Sequence, residues 1–169
     1  NRLHLDIKPS NIMVDSQDNA ILIDFGASKQ YDEVDGENTS TLLGKTPGYA
    51  PLEQMGNDVV KFMPATDIYA LGATLYKLLT GVTPSEAIEI QEDGVDIDEL
   101  KAKDVSQSTI DAIVSAMKSR KKRTQSIEEF IKSLVDAQVA EPTQDQINPQ
   151  QTDAEMEKQE STNTYSEED

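Results

Sequence analysis

The segment HLDIKPSN, residues 4–11, sets Asp6, Lys8 and Asn11 close together on a stretch that Pro9 stiffens. Further on, IDFG places another carboxylate, Asp24, directly before an aromatic residue and a glycine. An Asn amide oxygen and an Asp carboxylate are hard oxygen ligands. They suit a Mg2+ ion that keeps several waters and bridges phosphate groups. Asp6 can orient a hydroxyl and accept its proton. Lys8 can neutralise charge on a transferring phosphoryl group. Asn11 and Asp24 are thus candidate metal ligands, Asp6 the candidate base and Lys8 the candidate cation.

That chemistry needs a scaffold bringing positions 6–11 and 24 together. NIMV (11–14) and AILID (20–24) are short apolar runs around polar DSQDN, which is the pattern of a β-hairpin. Closing the hairpin would put both ends at one edge. Residues 26–48 show no period and are rich in Gly, Asp, Ser and Thr, so they are expected to form a long loop. TDIYALGATLYKLLTG (66–81) predicts a helix. Its Ile68, Leu71, Leu75, Leu78 and Leu79 fall at helical spacing, and Tyr69, Gly72 and Tyr76 widen the apolar surface. Thr66 is the expected N-cap and Gly81 the expected stop. A helix apolar nearly all round should be central and buried. SQSTIDAIVSAMKS (106–119) repeats the pattern with Ile110, Ile113, Val114 and Met117. SIEEFIKSLVDA (126–137) opens with Ser126 and Glu129, a capping box, and presents Ile127, Phe130, Ile131, Leu134 and Val135 as its apolar face. The result is a mainly α domain with a short hairpin at its N-terminal edge.

Composition narrows the function classes. The net charge of −17 argues against a nucleic-acid partner, which would call for a basic face. With no Cys, neither disulfides nor thiolate metal sites are available. The longest apolar stretch, IYALGATLYKLL, is short and carries Lys77, so no membrane segment is expected. The start at Asn1 reads as a cut inside a longer protein, without a signal peptide. Residues 137–169 hold nine acidic and one basic residue and no Leu or Phe. They are expected to be a disordered acidic tail or linker, because they bury too little apolar surface to offset ordering entropy. The domain itself is placed at 1–136.

HLDIKPSN resembles the protein-kinase catalytic loop, and DFG resembles the metal-binding motif of that family. GKTPGYAPLEQ (44–54) is similar to the end of a kinase activation segment, with one residue inserted in Ala-Pro-Glu. DIYALGATLYKLLTG resembles the central helix of the kinase large lobe, and RKKRTQSIEEFIKSL its last helix with the Arg before it. The motifs stand in family order over roughly residues 1–136, and their wording looks like bacterial serine/threonine kinases. The resemblance implies a protein-kinase-like fold: a mainly α large lobe with a short hairpin at the catalytic edge, the N-terminal β-rich lobe missing. It implies ATP and Mg2+ as cofactors, a protein substrate with a Ser or Thr acceptor, and a cytoplasmic location. A parent protein that dimerises or is tethered to a membrane is expected. By the same resemblance Asp6 is the base, Lys8 the γ-phosphate contact, and Asn11 and Asp24 the Mg2+ ligands. Met13 forms the floor beneath the adenine, and Thr46 bonds Asp6 and Lys8. Glu53 pairs with Arg123, Asp67 accepts from the catalytic-loop backbone, and His4 stacks in the core below Phe25. The family's Gly-rich phosphate loop is not found in these residues, so the isolated chain is expected to be inactive.

Two other functions compete. A non-catalytic pseudokinase or scaffold would need a lesion outside this stretch, because its catalytic residues are intact. A small-molecule phosphotransferase of the aminoglycoside-kinase type shares the loop and the later Asp but lacks GKTPGYAPLEQ. KSRKKR (118–123) reads as a helix C-terminus whose cations complement the dipole. Leu5 stands where many kinases have the Arg that receives an activation-loop phosphate. A phosphate on Thr39, Ser40 or Thr41 would lack that reader, leaving Lys29 and Lys45 as the nearest cations.

Overall fold

The computed structural model describes residues 2–30, 37–39, 45–56 and 60–139. β1 (Arg2–Leu3) leads into a helical turn at Pro9–Asn11 and then β2 (Ile12–Val14). β2 pairs antiparallel with β3 (Ala20–Leu22), Ile12 opposite Leu22. The DSQDN turn closes this hairpin through Asp15, whose carboxylate accepts from the Gln17 and Asn19 N–H groups at 2.8 and 2.9 Å. The bonds from Asn19, then that from Gln17, hold the Asp15 carboxyl below its ordinary value.

The expected loop 26–48 contains paired strands at two points. β4 (Lys29–Gln30) pairs with β1, and β5 (Glu37–Thr39) with β6 (Val60–Phe62). These ribbons are two or three residues long and held by backbone bonds, so they leave no side-chain period to read. Ser40 and Thr41 lie outside the described residues.

The helices are α1 (Leu52–Met55), α2 (Pro64–Thr80), α3 (Ala87–Asp93), α4 (Ile97–Lys101), α5 (Gln107–Ala116) and α6 (Ile127–Val139). α2 begins three residues earlier than the expected Thr66 cap implies, because Pro64 takes the first helical position, where its missing N–H costs nothing. Met63 is the N-cap, and Thr66 Oγ1 accepts from the Met63 N–H at 3.3 Å. Gly81 ends the helix at φ 78, as expected.

α2 is the central helix. Tyr69, Ala73 and Tyr76 pack with Ala87 and Ile90 of α3, Leu100 of α4 and Ile110 and Ile113 of α5. On its other side Ile68 meets Ala112, Ala116 and Phe130. A Cβ at Gly72 would come within 2.8 Å of the Ala116 Cβ, so α2 and α5 approach as closely as they do only because that residue is Gly. Leu78, expected in the stripe, is instead exposed.

The face read on α6 divides. Phe130 is buried and Leu134 half-buried, while Ile127, Ile131 and Val135 are exposed. Glu129 closes its cap on the Gln125 N–H at 3.1 Å instead of that of Ser126, and Ser126 Oγ accepts from the Glu129 N–H at 3.2 Å. The helix runs to Val139, past Asp136, and the acidic stretch beyond it lies outside the described residues. α5 stops at Ala116 with no basic residue in its last turn. Residues 118–123 therefore follow the helix end and lie outside its last turn. Among the described residues no helix is long and apolar enough to cross a membrane.

Candidate active site

Leu5 sits at the centre of the catalytic segment with φ 65, a left-handed conformation that costs a branched residue about 1–2 kcal/mol. Three bonds hold this stretch of backbone. Asp67, in the first turn of α2, accepts from the His4 and Leu5 N–H groups, each at 2.8 Å. Gln54 Nε2, from α1, donates to the Leu5 carbonyl at 2.9 Å. Burial pushes the Asp67 carboxyl up from its ordinary value, and the two N–H bonds pull the other way.

His4 is buried beneath this turn. Its Nε2 bonds the Ile23 carbonyl at 3.0 Å, and its Nδ1 accepts from the Asp6 N–H at 3.3 Å. Both bonds are satisfied by a ring carrying its proton on Nε2. The ring meets Phe25 edge-on at 4.9 Å between centroids. Phe25 itself is more than half exposed, so only His4 belongs to the interior.

The residues singled out for chemistry converge. Asp6 Oδ2 lies 2.9 Å from Lys8 Nζ and accepts from Asn11 Nδ2 at 3.0 Å. Asn11 Nδ2 also reaches the Asp6 carbonyl at 2.8 Å. Thr46 Oγ1 donates to Asp6 Oδ1 at 2.8 Å and accepts from Lys8 Nζ at 3.0 Å. Asp6 and Lys8 remain partly open to solvent, with side chains 18% and 23% exposed. The hairpin supplies the rest. The Ile23 N–H donates to the Asn11 carbonyl at 2.8 Å, so Asp24 stands one residue beyond that pair. Asp24 adopts φ 59, is exposed, and accepts only the Gly26 N–H, at 3.1 Å, among the described residues. Met13, on the same hairpin, is also exposed.

This donor set fits Mg2+. The Asn11 amide nitrogen is engaged with Asp6, which leaves the amide oxygen as its ligand atom, and Asp24 offers a carboxylate. No group of three or more His, Cys, Asp or Glu converges among the described residues. A cation bound here would thus be held by few protein oxygens, in the way Mg2+ binds alongside water and phosphate.

A second cluster fixes the segment that carries Thr46. Glu53 and Arg123 form a two-pronged pair at 2.7 and 3.1 Å, their side chains 6% and 2% exposed. Arg123 also donates to the Lys118 and Ala65 carbonyls at 2.9 and 3.1 Å and lies over the Tyr69 ring at 5.1 Å. Lys45 Nζ donates to the Met55 carbonyl at 2.6 Å, which ties it to α1. The side chain of Lys29 lies outside the described residues. Sequence reasoning missed Gln54. Its only signal was a polar residue beside Glu53 in an otherwise apolar turn.

A mainly helical lobe with an Asp, Lys, Asn and Thr cluster at the mouth of a hairpin defines a protein-kinase-like fold. The chain belongs to the protein kinase family, since residues 1–151 match the model of the protein kinase domain. It is 46% identical over 86 residues to serine/threonine-protein kinase F of Synechocystis sp., covering 50% of this chain and 17% of that protein. It is 45% identical over 92 residues to serine/threonine-protein kinase B of the same organism, covering 50% of this chain and 16% of that one. The solved structure of the PpkA-294 apo form shares 27% identity at a TM-score of 0.59, over 78% of this chain and 46% of its own. The chain thus spans under half of the solved relative and a still smaller share of the two curated ones.

Proposed function

We propose that these residues form the catalytic half of a cytoplasmic serine/threonine kinase that moves the γ-phosphate of ATP to a protein hydroxyl. The observation that carries this reading is the Asp6, Lys8, Asn11 and Thr46 cluster. Asp6 orients the acceptor hydroxyl and holds its proton. Thr46 and Asn11 fix the carboxylate so that it meets the acceptor without reorganising. Lys8, already poised on Asp6 and Thr46, places its charge beside the phosphoryl group. Asn11 and Asp24 would hold Mg2+, which supplies charge neutralisation on the phosphate oxygens. Met13 offers an apolar surface at the hairpin for the adenine. A Ser or Thr acceptor is supported by the Lys at position 8 and by the names of the bacterial relatives. The 169 residues contain no Gly-rich phosphate loop, so the chain by itself should turn over poorly.

The test compares a complete kinase domain carrying this segment with its Asp6→Asn variant, using labelled ATP, Mg2+ and a Ser/Thr peptide library. The variant should lose about 10²–10⁴ in rate. Equal labelling by both would sink the assignment.

A further inference from the structure

A cavity of about 800 Å3 lies outside the Asp6 cluster: none of Asp6, Lys8, Asn11 and Thr46 lines it. It opens between α1, α3 and the loop that follows α5. Leu52, Ala87, Ile90 and Met117 give it an apolar floor. Its rim includes Lys118, Lys121 and Lys122, all exposed and none paired with a carboxylate among the described residues. Tyr69 also lines it, and the Tyr69 hydroxyl is buried with no hydrogen-bond partner. Burial pushes that phenol up to about 12, so it stays a protonated donor. The groove thus combines apolar surface, unpaired cations and an unused donor, features that suit an acidic peptide bearing apolar side chains.

We propose that this groove is a docking site for an acidic peptide and that its occupant is the chain's own acidic stretch, residues 140–169. That stretch holds nine acidic residues and one basic, and its Glu155, Met156 and Glu157 alternate charge with an apolar side chain. Tyr165 is a second apolar anchor. α6 carries the chain about 20 Å, at 1.5 Å per residue, before this stretch begins. Thirty residues of chain can bridge about 30 Å or more. Tethering raises its local concentration to about the millimolar range. The inference does not depend on phosphoryl transfer.

The test uses the full 169-residue chain and a zero-length reagent that joins carboxylates to amines, read by mass spectrometry. Carboxylates of residues 153–169 should couple to Lys118, Lys121 and Lys122 at least about fivefold more than to the exposed Lys101 and Lys103. The preference should fall as NaCl rises from about 50 mM to about 1 M. It should also fall in a variant carrying Glu155→Gln, Glu157→Gln and Glu160→Gln, which alters only residues beyond α6. In a mixture of isotopically heavy and light chains the links should stay within one copy. Equal coupling to Lys101 and Lys103, an unchanged preference in the Gln variant, or links mainly between copies would each overturn the proposal.

Discussion

Arg123→Ala should be among the most damaging single changes in this chain. Glu53 would be left 6% exposed in the native frame, and its remaining bond, from the Thr66 hydroxyl at 3.4 Å, is long and weak. The Lys118 and Ala65 carbonyls would lose their guanidinium donor. Removing one partner of a buried pair costs about 3–5 kcal/mol, against about 5–15 kcal/mol for a whole domain. In urea, with a slope of about 2 kcal/mol per M, the midpoint should fall by about 2 M. Arg123→Lys keeps the charge but loses the fork and the stack on Tyr69, so its cost should be smaller, about 1–3 kcal/mol. Glu53→Ala combined with Arg123→Ala should cost less than the sum of the two, because the second change removes a charge already stranded. Urea unfolding of the parent, the three single variants and the double variant, followed by far-UV circular dichroism, measures all of this. A midpoint shift under about 0.5 M for Arg123→Ala, or strict additivity, would show that the pair is not the clamp described.

In a complete domain, Asp6→Ala and Asp24→Ala should both abolish turnover, yet titration calorimetry with Mg-ATP should show binding retained in the first and weakened in the second. Equal loss of binding would contradict the roles given to them. Thr46→Ala frees both Asp6 and Lys8, so kcat should fall by about 100-fold with nucleotide affinity little changed, and an unchanged kcat would remove Thr46 from the positioning set. Replacing Thr39, Ser40 and Thr41 together by Ala should alter activity by no more than about threefold, or about 0.6 kcal/mol, and a hundredfold loss restored by phosphorylation would point to another basic reader. Asp67 has a folded pKa raised above 3.8 by burial, so its contribution to stability is complete below that value and lost as pH rises through the raised one. The stability of the chain relative to its Asp67→Asn variant should therefore decline as pH rises above the ordinary carboxylate value, and a rise would reverse the sign.

The cluster was legible because its chemistry is compressed into short offsets. Asp6, Lys8 and Asn11 lie within one turn of chain, and the hairpin that brings Asp24 beside them is set by alternating apolar runs. α2 was legible from its all-round apolar surface. What escaped was carried by backbone. The β1–β4 and β5–β6 ribbons leave no side-chain period, and α3 and α4 are too short to show one. The outer face of α6 looked like core because spacing alone cannot say what lies opposite a helix. Gln54 escaped because its bond partner is the Leu5 carbonyl, a group every residue possesses.

Leu5 shows why this matters for control of the site. Its side chain is buried with Leu3 and Phe62, and its backbone is fixed by Asp67 and Gln54. Phe62 is the last residue of β6, which pairs with β5, the segment that ends at Thr39. The activation region is therefore joined to the catalytic turn by backbone pairing and apolar packing, where many kinases use an Arg and a phosphate. An Arg at position 5 would have to leave that cluster or bury its charge in it, and burial without a partner would be costly.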